Sequence, residues 1–341
     1  MTKPYEEVLR AENLSKHVIA YRRGLGSNIE LAKIAFDDVL KRGNCTVATF
    51  DVSSFFDLID HKNLKKQWCK VIGQATLPAD HYAVFHAMTR YCWVDLVDCC
   101  KRLGVIEADL TPGKPICSMQ DYRAKIRSQR PTLVRTNRVA YGIPQGSPIS
   151  ALLSNISMLP FDEAISRICY ARKWSYLRYS DDILVIGESG DGGEINAVVS
   201  AELSKLGSSL SINAAKTEIL DFFVQSGVQM VKPQNGGVSF KPLQYLGFAF
   251  DGRKITIKSA TLSRYWRKLI KSTRAAKIRA KKRKSKGHNG VLLKHRVYEQ
   301  VTHLGKNNFH SYVRRARKKL SDESIRRQLA RHFDRVELEL K

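Results

Sequence analysis

YLRYSDDILVIG, residues 176–187, alternates apolar and polar side chains on both sides of a Ser-Asp-Asp centre. Successive strand side chains point to opposite faces, so this alternation around a short polar break predicts a β-hairpin with a tight tip carrying Asp181 and Asp182. Further back, CTVATFDV (45–52) is β-branched and aromatic and reads as a strand that ends at Asp51. Asp60 is placed to cap a helix over 61–71, because its carboxylate can accept from the free N–H groups of the first turn. Residues 150–169 carry apolar side chains at helical spacing and read as one long helix that Pro160 can kink. Strands thus alternate with helices over this part of the chain, with no internal repeat.

A sheet that aligned the two strands would bring Asp51, Asp181 and Asp182 together. Carboxylates a few ångströms apart raise one another's pKa, and a divalent cation is the usual resolution. Two Mg²⁺ ions roughly 3.5 to 4 Å apart serve in-line phosphoryl transfer, one activating a 3′-hydroxyl and the other neutralising the leaving pyrophosphate; Mn²⁺ is the alternative ion. An Asp-Asp pair is also ordinary turn chemistry, so by itself it assigns nothing.

The pair stands in a series: FDVSSFFDLIDH (50–61), YGIPQGSPISALLSN (141–155), YSDD (179–182), LSINAAKTEIL (210–220) and YLGFAFDG (245–252). In order and rough spacing this series resembles motifs A to E of reverse transcriptases. The resemblance implies an α+β right-hand polymerase with fingers, a palm of antiparallel sheet plus helices, and a helical thumb. It places fingers in 1–44, palm in 45–257 with a fingers or insertion segment at about 72–140, and a basic thumb in 258–341. It implies that Asp51, Asp181 and Asp182 are the catalytic, metal-binding aspartates. Phe56 falls where the family places the aromatic gate against a 2′-hydroxyl, with Phe55 read as a core residue. Gln145 and Gly146 match the turn beneath the incoming nucleotide, Lys216 the motif D lysine near the pyrophosphate, and Tyr245, Leu246 and Gly247 the primer grip. Arg22 and Arg23, in YRRGLGSN (21–28), are candidate triphosphate ligands, since guanidinium forks bind phosphate oxygens bidentately.

Charge points to the same class of partner. The formal net charge is +26, and residues 259–341 hold 25 basic and 6 acidic side chains, a net of +19. Such a field predicts a polyanion, nucleic acid ahead of an anionic membrane. Leu262, Trp266, Leu269 and Thr273 fall at helical spacing, as do Phe309, Tyr312, Val313, Ala316 and Leu320; Ile325, Leu329 and Phe333 predict a third helix. Between the first two, KIRAKKRKSKGHNG (277–290) reads as a glycine-broken basic loop or a fraying helix end. Lys281, Lys282, Arg283, Lys284, Arg314 and Arg315 are the candidates for gripping phosphates. The seven cysteines form no CxxC pair and predict reduced, mostly buried thiols. No run reaches the roughly 18 apolar residues of a membrane span, and no apolar leader opens the chain, so the expectation is a cytoplasmic protein.

The implied partners are an RNA template, which a dedicated non-coding RNA could supply, a DNA product and deoxynucleoside triphosphates. A partner protein or a second copy of the chain stays open, and no membrane is expected. Among branches of the family, a retron enzyme would carry VTG in the thumb where this chain has VTH (301–303), and a diversity-generating enzyme would replace the QGSP turn. A group II maturase would carry further domains after the thumb. The segments LPADHYAVFHAMTRYCWVD (77–95) and TPGKPICSM (111–119) resemble bacterial defence-associated and abortive-infection reverse transcriptases. Retron-like or group II-like enzymes with another role remain alternatives, as does an RNA-directed RNA polymerase, although that class typically carries GDD at the hairpin.

Overall fold

The computed structural model describes residues 1–110, 113–207, 210–234, 240–287 and 289–340; Thr111 and Pro112 of the insertion and His288 of the basic run lie outside the described residues. The strand Cys45–Asp51 is the centre of a five-stranded antiparallel sheet. On one side it pairs with Asp182–Gly187, and Ser175–Tyr179 forms that edge. On the other it pairs with Glu218–Gln225, followed by Val228–Pro233.

Both faces of the sheet are covered, which is why the central strand is apolar almost throughout. Ala48, Phe50, Tyr176, Ile183 and Val185 join a core with the helices His61–Ile72, Ser150–Ser157 and Leu159–Arg172. Val47, Leu177, Leu184, Ile186 and Phe222 join a second core with the helix Asn28–Arg42 and a small sheet of Leu243–Tyr245, Phe248–Phe250 and Ile255–Ile257. A third core of Tyr265, Leu269, Val297, Val301, Val336 and Leu340 lies among the C-terminal helices. The class is α+β, with the five-stranded antiparallel sheet between its two larger cores.

Asp60 caps His61–Ile72 as expected, accepting from the Asn63 N–H at 2.6 Å. Five of the seven cysteines are buried and all are free thiols, with Cys92 exposed and Cys117 half-buried. Three expectations need correction. Residues 150–169 form two helices, and Pro160 opens the second, where its missing N–H costs nothing. The basic run is no loop up to Ser285: the helix Ser259–Ser285 continues through it, because Ala, Lys and Arg favour helix and the first glycine, Gly287, comes only afterwards at φ +76°. The third C-terminal helix is two pieces, Ser324–Arg327 and His332–Leu340. Ile325 belongs to the second core and Val336 to the third, and Gln328 between them exchanges two hydrogen bonds with the Ile257 backbone.

His310 and His332 pack with ring centroids 4.0 Å apart beside Tyr265. Burial, then His332, His303 and Arg314, push His310 from 6.5 down to about 4, and burial lowers His332 too. The unfolded chain therefore binds a proton that folded His310 refuses, so the stability this site contributes is full above pH 6.5 and lost as pH falls toward 4. Allowing for the partial exposure of His310, the loss should be on the order of 1–2 kcal/mol. Thermal melts across that window should show a falling Tm, and His310→Asn should flatten the profile.

Candidate active site

Tyr179 and Asp182 close the hairpin ladder, leaving Ser180, at φ +61°, and Asp181 as a two-residue turn. Asp182 also stands directly opposite Asp51 on the central strand, and the Val52 N–H donates to the Asp181 carbonyl at 3.3 Å. Residues opposed in an antiparallel pair share a face, so register sets Asp51 and Asp182 side by side. Both line a cavity of about 300 Å³ together with Lys216, Glu218, Leu246 and Lys258. Asp181 stands on the turn outside that lining.

The electrostatics of this cavity are those of crowded carboxylates. Desolvation, then Asp181 and Asp51, push Asp182 up to about 6, while Lys258 and Lys216 pull against them. Lys216 Nζ donates to both Asp51 oxygens, at 3.1 and 3.0 Å, which raises the lysine's own pKa. Among the described residues no three His, Cys, Asp or Glu side chains converge closely enough to hold a metal ion. The expected three-carboxylate cluster is therefore two carboxylates in one cavity with a third beside it. In charge the donor set suits a divalent cation, and the Lys216 ammonium already serves Asp51 as a positive counterpart.

The hairpin rests on a buried ion pair. Arg178 and Asp162 have fully buried side chains joined at 2.6 and 2.7 Å, and Tyr176 Oη donates to the same carboxylate. Arg178 Nη1 also donates to Asn155 Oδ1 at 3.1 Å and to the Ser180 carbonyl at 2.9 Å, so the ion pair holds the turn directly. Asn155 in turn donates to the Ala20 carbonyl at 2.9 Å.

Motifs A and B are laced together by backbone. The Ile143 N–H donates to Phe56 O and the Gly142 N–H to Ile59 O, both at 2.9 Å. Gly142 has φ +91°, and a Cβ there would lie 2.9 Å from Asp57 O, so only glycine fits. Phe55 is buried, and Phe56 lies half-buried edge-on to it with centroids 5.4 Å apart. Gln145 and Gly146 sit exposed on the following turn, Gly146 at φ +88°.

Leu246 and Gly247 form a two-residue turn with φ +46° and +91°, closing the hairpin of Tyr245 and Phe248. Positive φ at both positions suits that hairpin, but a leucine there is strained and must be held. Asn28 holds it, donating to Leu246 O at 2.9 Å and to Tyr312 Oη at 3.0 Å. Tyr245 is buried on the cavity wall, and its hydroxyl has no hydrogen-bond partner.

Arg22 must be removed from the nucleotide-binding set. Its side chain is only 7% exposed, with the guanidinium spent on Glu6 at 2.7 Å and on the Ser15 and Val18 carbonyls. Arg23 is exposed. In the C-terminal part, Lys281, Lys282, Arg283 and Lys284 are consecutive helical residues and point around the helix, with Lys282 and Arg283 on one cavity. Arg314 and Arg315 are exposed on Phe309–Leu320. Asn28, Asp162, Arg178, Glu218 and Lys258 escaped the sequence reading; only the position of Lys258, directly after motif E, hinted at a place near the site.

Residues 101–250 match the family model described as reverse transcriptase (RNA-dependent DNA polymerase). The match begins after the strand bearing Asp51, which joins the site through its register with Asp182. Among solved structures, apo telomerase from Candida tropicalis, truncated from its C-terminal domain, is similar at TM-score 0.44 and 13% identity, over 75% of this chain and 45% of that one. Telomerase from Candida albicans, in complex with a fragment of telomeric RNA, gives TM-score 0.44 and 14% identity, over 75% and 36%. The chain thus spans less than half the length of these telomerases. No curated protein matches the sequence. Among the described residues no helix is long and apolar enough to cross a membrane.

Proposed function

We propose that the protein is an RNA-directed DNA polymerase that extends a primer 3′-hydroxyl with deoxynucleoside triphosphates on an RNA template. The observation that carries this reading is the register that sets Asp51 opposite Asp182 at the cavity, with Asp181 on the adjoining turn. Asp51, Asp181 and Asp182 would hold two Mg²⁺ ions, or Mn²⁺, which when bound supply the Lewis-acid chemistry of phosphoryl transfer. Lys216 is placed to counter charge on the pyrophosphate once Asp51 has a metal partner. The Leu246–Gly247 turn and Tyr245 hold the primer end, Gln145 and Gly146 underlie the incoming nucleotide, and Arg23 is the fingers cation left for the triphosphate. The basic helices beyond Lys258 form the thumb and grip the hybrid, with Lys282, Arg283, Arg314 and Arg315 on phosphates. Fingers occupy 1–44 and much of the insertion. In the cell the reading is a cytoplasmic enzyme of antiphage defence, supported by the texture of the insertion between motifs A and B.

Primer extension on an RNA template, with deoxynucleotides compared against ribonucleotides, tests the activity. Incorporation of ribonucleotides alone would make it an RNA polymerase. In the same assay Phe56→Ala should admit ribonucleotides, since the half-buried ring falls at the motif A position that the resemblance assigns to the gate. A dATP-to-ATP ratio unchanged in single-nucleotide extension would move the gate elsewhere, and not to Phe55, which is buried. Loss of phage protection when Asp181 and Asp182 are both replaced would support the defence role.

A further inference from the structure

The helix Ser259–Ser285 passes a series of cavities on its way out from the active site. Lys258, at its start, lines the catalytic cavity, and Thr261, Arg264 and Lys268 line the next. Positions three and four apart share a helix face, so these residues form one continuous stripe. Beyond Ser272, which borders both, the helix walls a further cavity of about 490 Å³ against Lys294–Val301. Its floor is apolar, with Ala276, Ala280, Leu293 and the buried Val297. Its rim carries Arg279, Lys282, Arg283, Lys286 and Arg296, and among the described residues no acidic side chain lines it. At the end shared with the neighbouring cavity, Ser272 Oγ donates to Oε1 of the exposed Gln300 at 2.8 Å, which leaves the amide N–H groups as the donors toward a ligand. The closing loop is drawn in at Gly290, where a Cβ would fall 2.8 Å from Lys284 Cβ.

We propose that this cavity is a binding site for one unpaired nucleotide of an RNA strand. The base lies on the apolar floor, the guanidinium planes stack on it, the Gln300 amide meets its edge, and the rim cations take the flanking phosphates. An acidic peptide would also satisfy the cations. RNA is favoured because the same helix face leads from the catalytic cavity, about 20–35 Å away along the helix. The choice of ligand rests on the polymerase reading; the cavity does not.

The test uses the full chain and fluorescently labelled RNA duplexes, perfectly paired or with one bulged nucleotide. Ala280→Phe fills the cavity and keeps every charge, and the half-exposed Leu293→Ser removes part of the apolar wall without touching the core. The wild type should favour the bulged duplex by roughly tenfold. Both variants should lose that preference while keeping the salt dependence for the perfect duplex. Equal binding of the two duplexes by the wild type, or a preference that survives in both folded variants, overturns the site. An acidic peptide that binds here when bulged RNA shows no preference also overturns it. Primer extension run in parallel separates the two readings: preference without extension sinks the polymerase and keeps the site, and extension without preference does the reverse.

Discussion

Asp51→Asn and Asp181→Asn are each expected to lower DNA synthesis by on the order of 10³-fold or more, because under the proposed function each removes a metal ligand and with it several kcal/mol of transition-state stabilisation. Folding should be nearly untouched. The ion pair of Asp51 is with Lys216, whose side chain is 62% exposed, and exposed pairs contribute little. Melting curves and RNA affinity should therefore match wild type while primer extension in Mg²⁺ fails. The two positions also test different things. Asp51 shares the cavity with Asp182, whereas Asp181 stands on the adjoining turn, so comparable losses at both would assign the turn carboxylate to the same site. Wild-type synthesis by the Asp51 variant would remove the central strand from the site altogether.

The second large effect is expected at Asp162. Removing one partner of a fully buried ion pair leaves the other charge without compensation, at about 3–5 kcal/mol. Asp162→Asn should therefore bring a large drop in Tm and in the urea midpoint, although it changes only one atom. Arg178 would keep its bonds to Asn155 and Ser180 but lose its charge partner, so the Ser180–Asp181 turn should loosen and, under the proposed function, synthesis should fall as well. The double variant Asp162→Leu/Arg178→Met tests the cause. It should recover much of the stability, since a well-packed apolar pair avoids the desolvation of two charges, while synthesis stays low because the Ser180 carbonyl has lost its donor. If Asp162→Asn melts like the wild type, the pair does not support the hairpin as described.

The local features of this protein were legible in its sequence. The strand ending at Asp51, the hairpin with Asp181 in its turn, the Asp60 cap and the apolar helix stripes all follow from interactions between residues close along the chain. Helix continuity through 277–285 is legible in principle, since Ala, Lys and Arg favour helix and the first glycine comes only at 287. Pro160 is ambiguous for a different reason, as its meaning depends on whether a helix begins or continues there.

Partner choice was decided by the tertiary structure. Arg22 and Arg178 are equally good phosphate ligands on paper, yet folding spends one on Glu6 and buries the other against Asp162. Asn28 reaches Leu246 and Tyr312, residues 218 and 284 positions away, to hold a strained turn at the cavity wall. Periodicity records which face of an element is apolar, and so the sequence by itself determined the elements and where their carboxylates stand. Which charge is buried, and against whom, depends on desolvation among segments brought together only by the fold, and so the pairing of Asp51 with Lys216, the support beneath the hairpin and the cavities along Ser259–Ser285 belong to the tertiary structure alone.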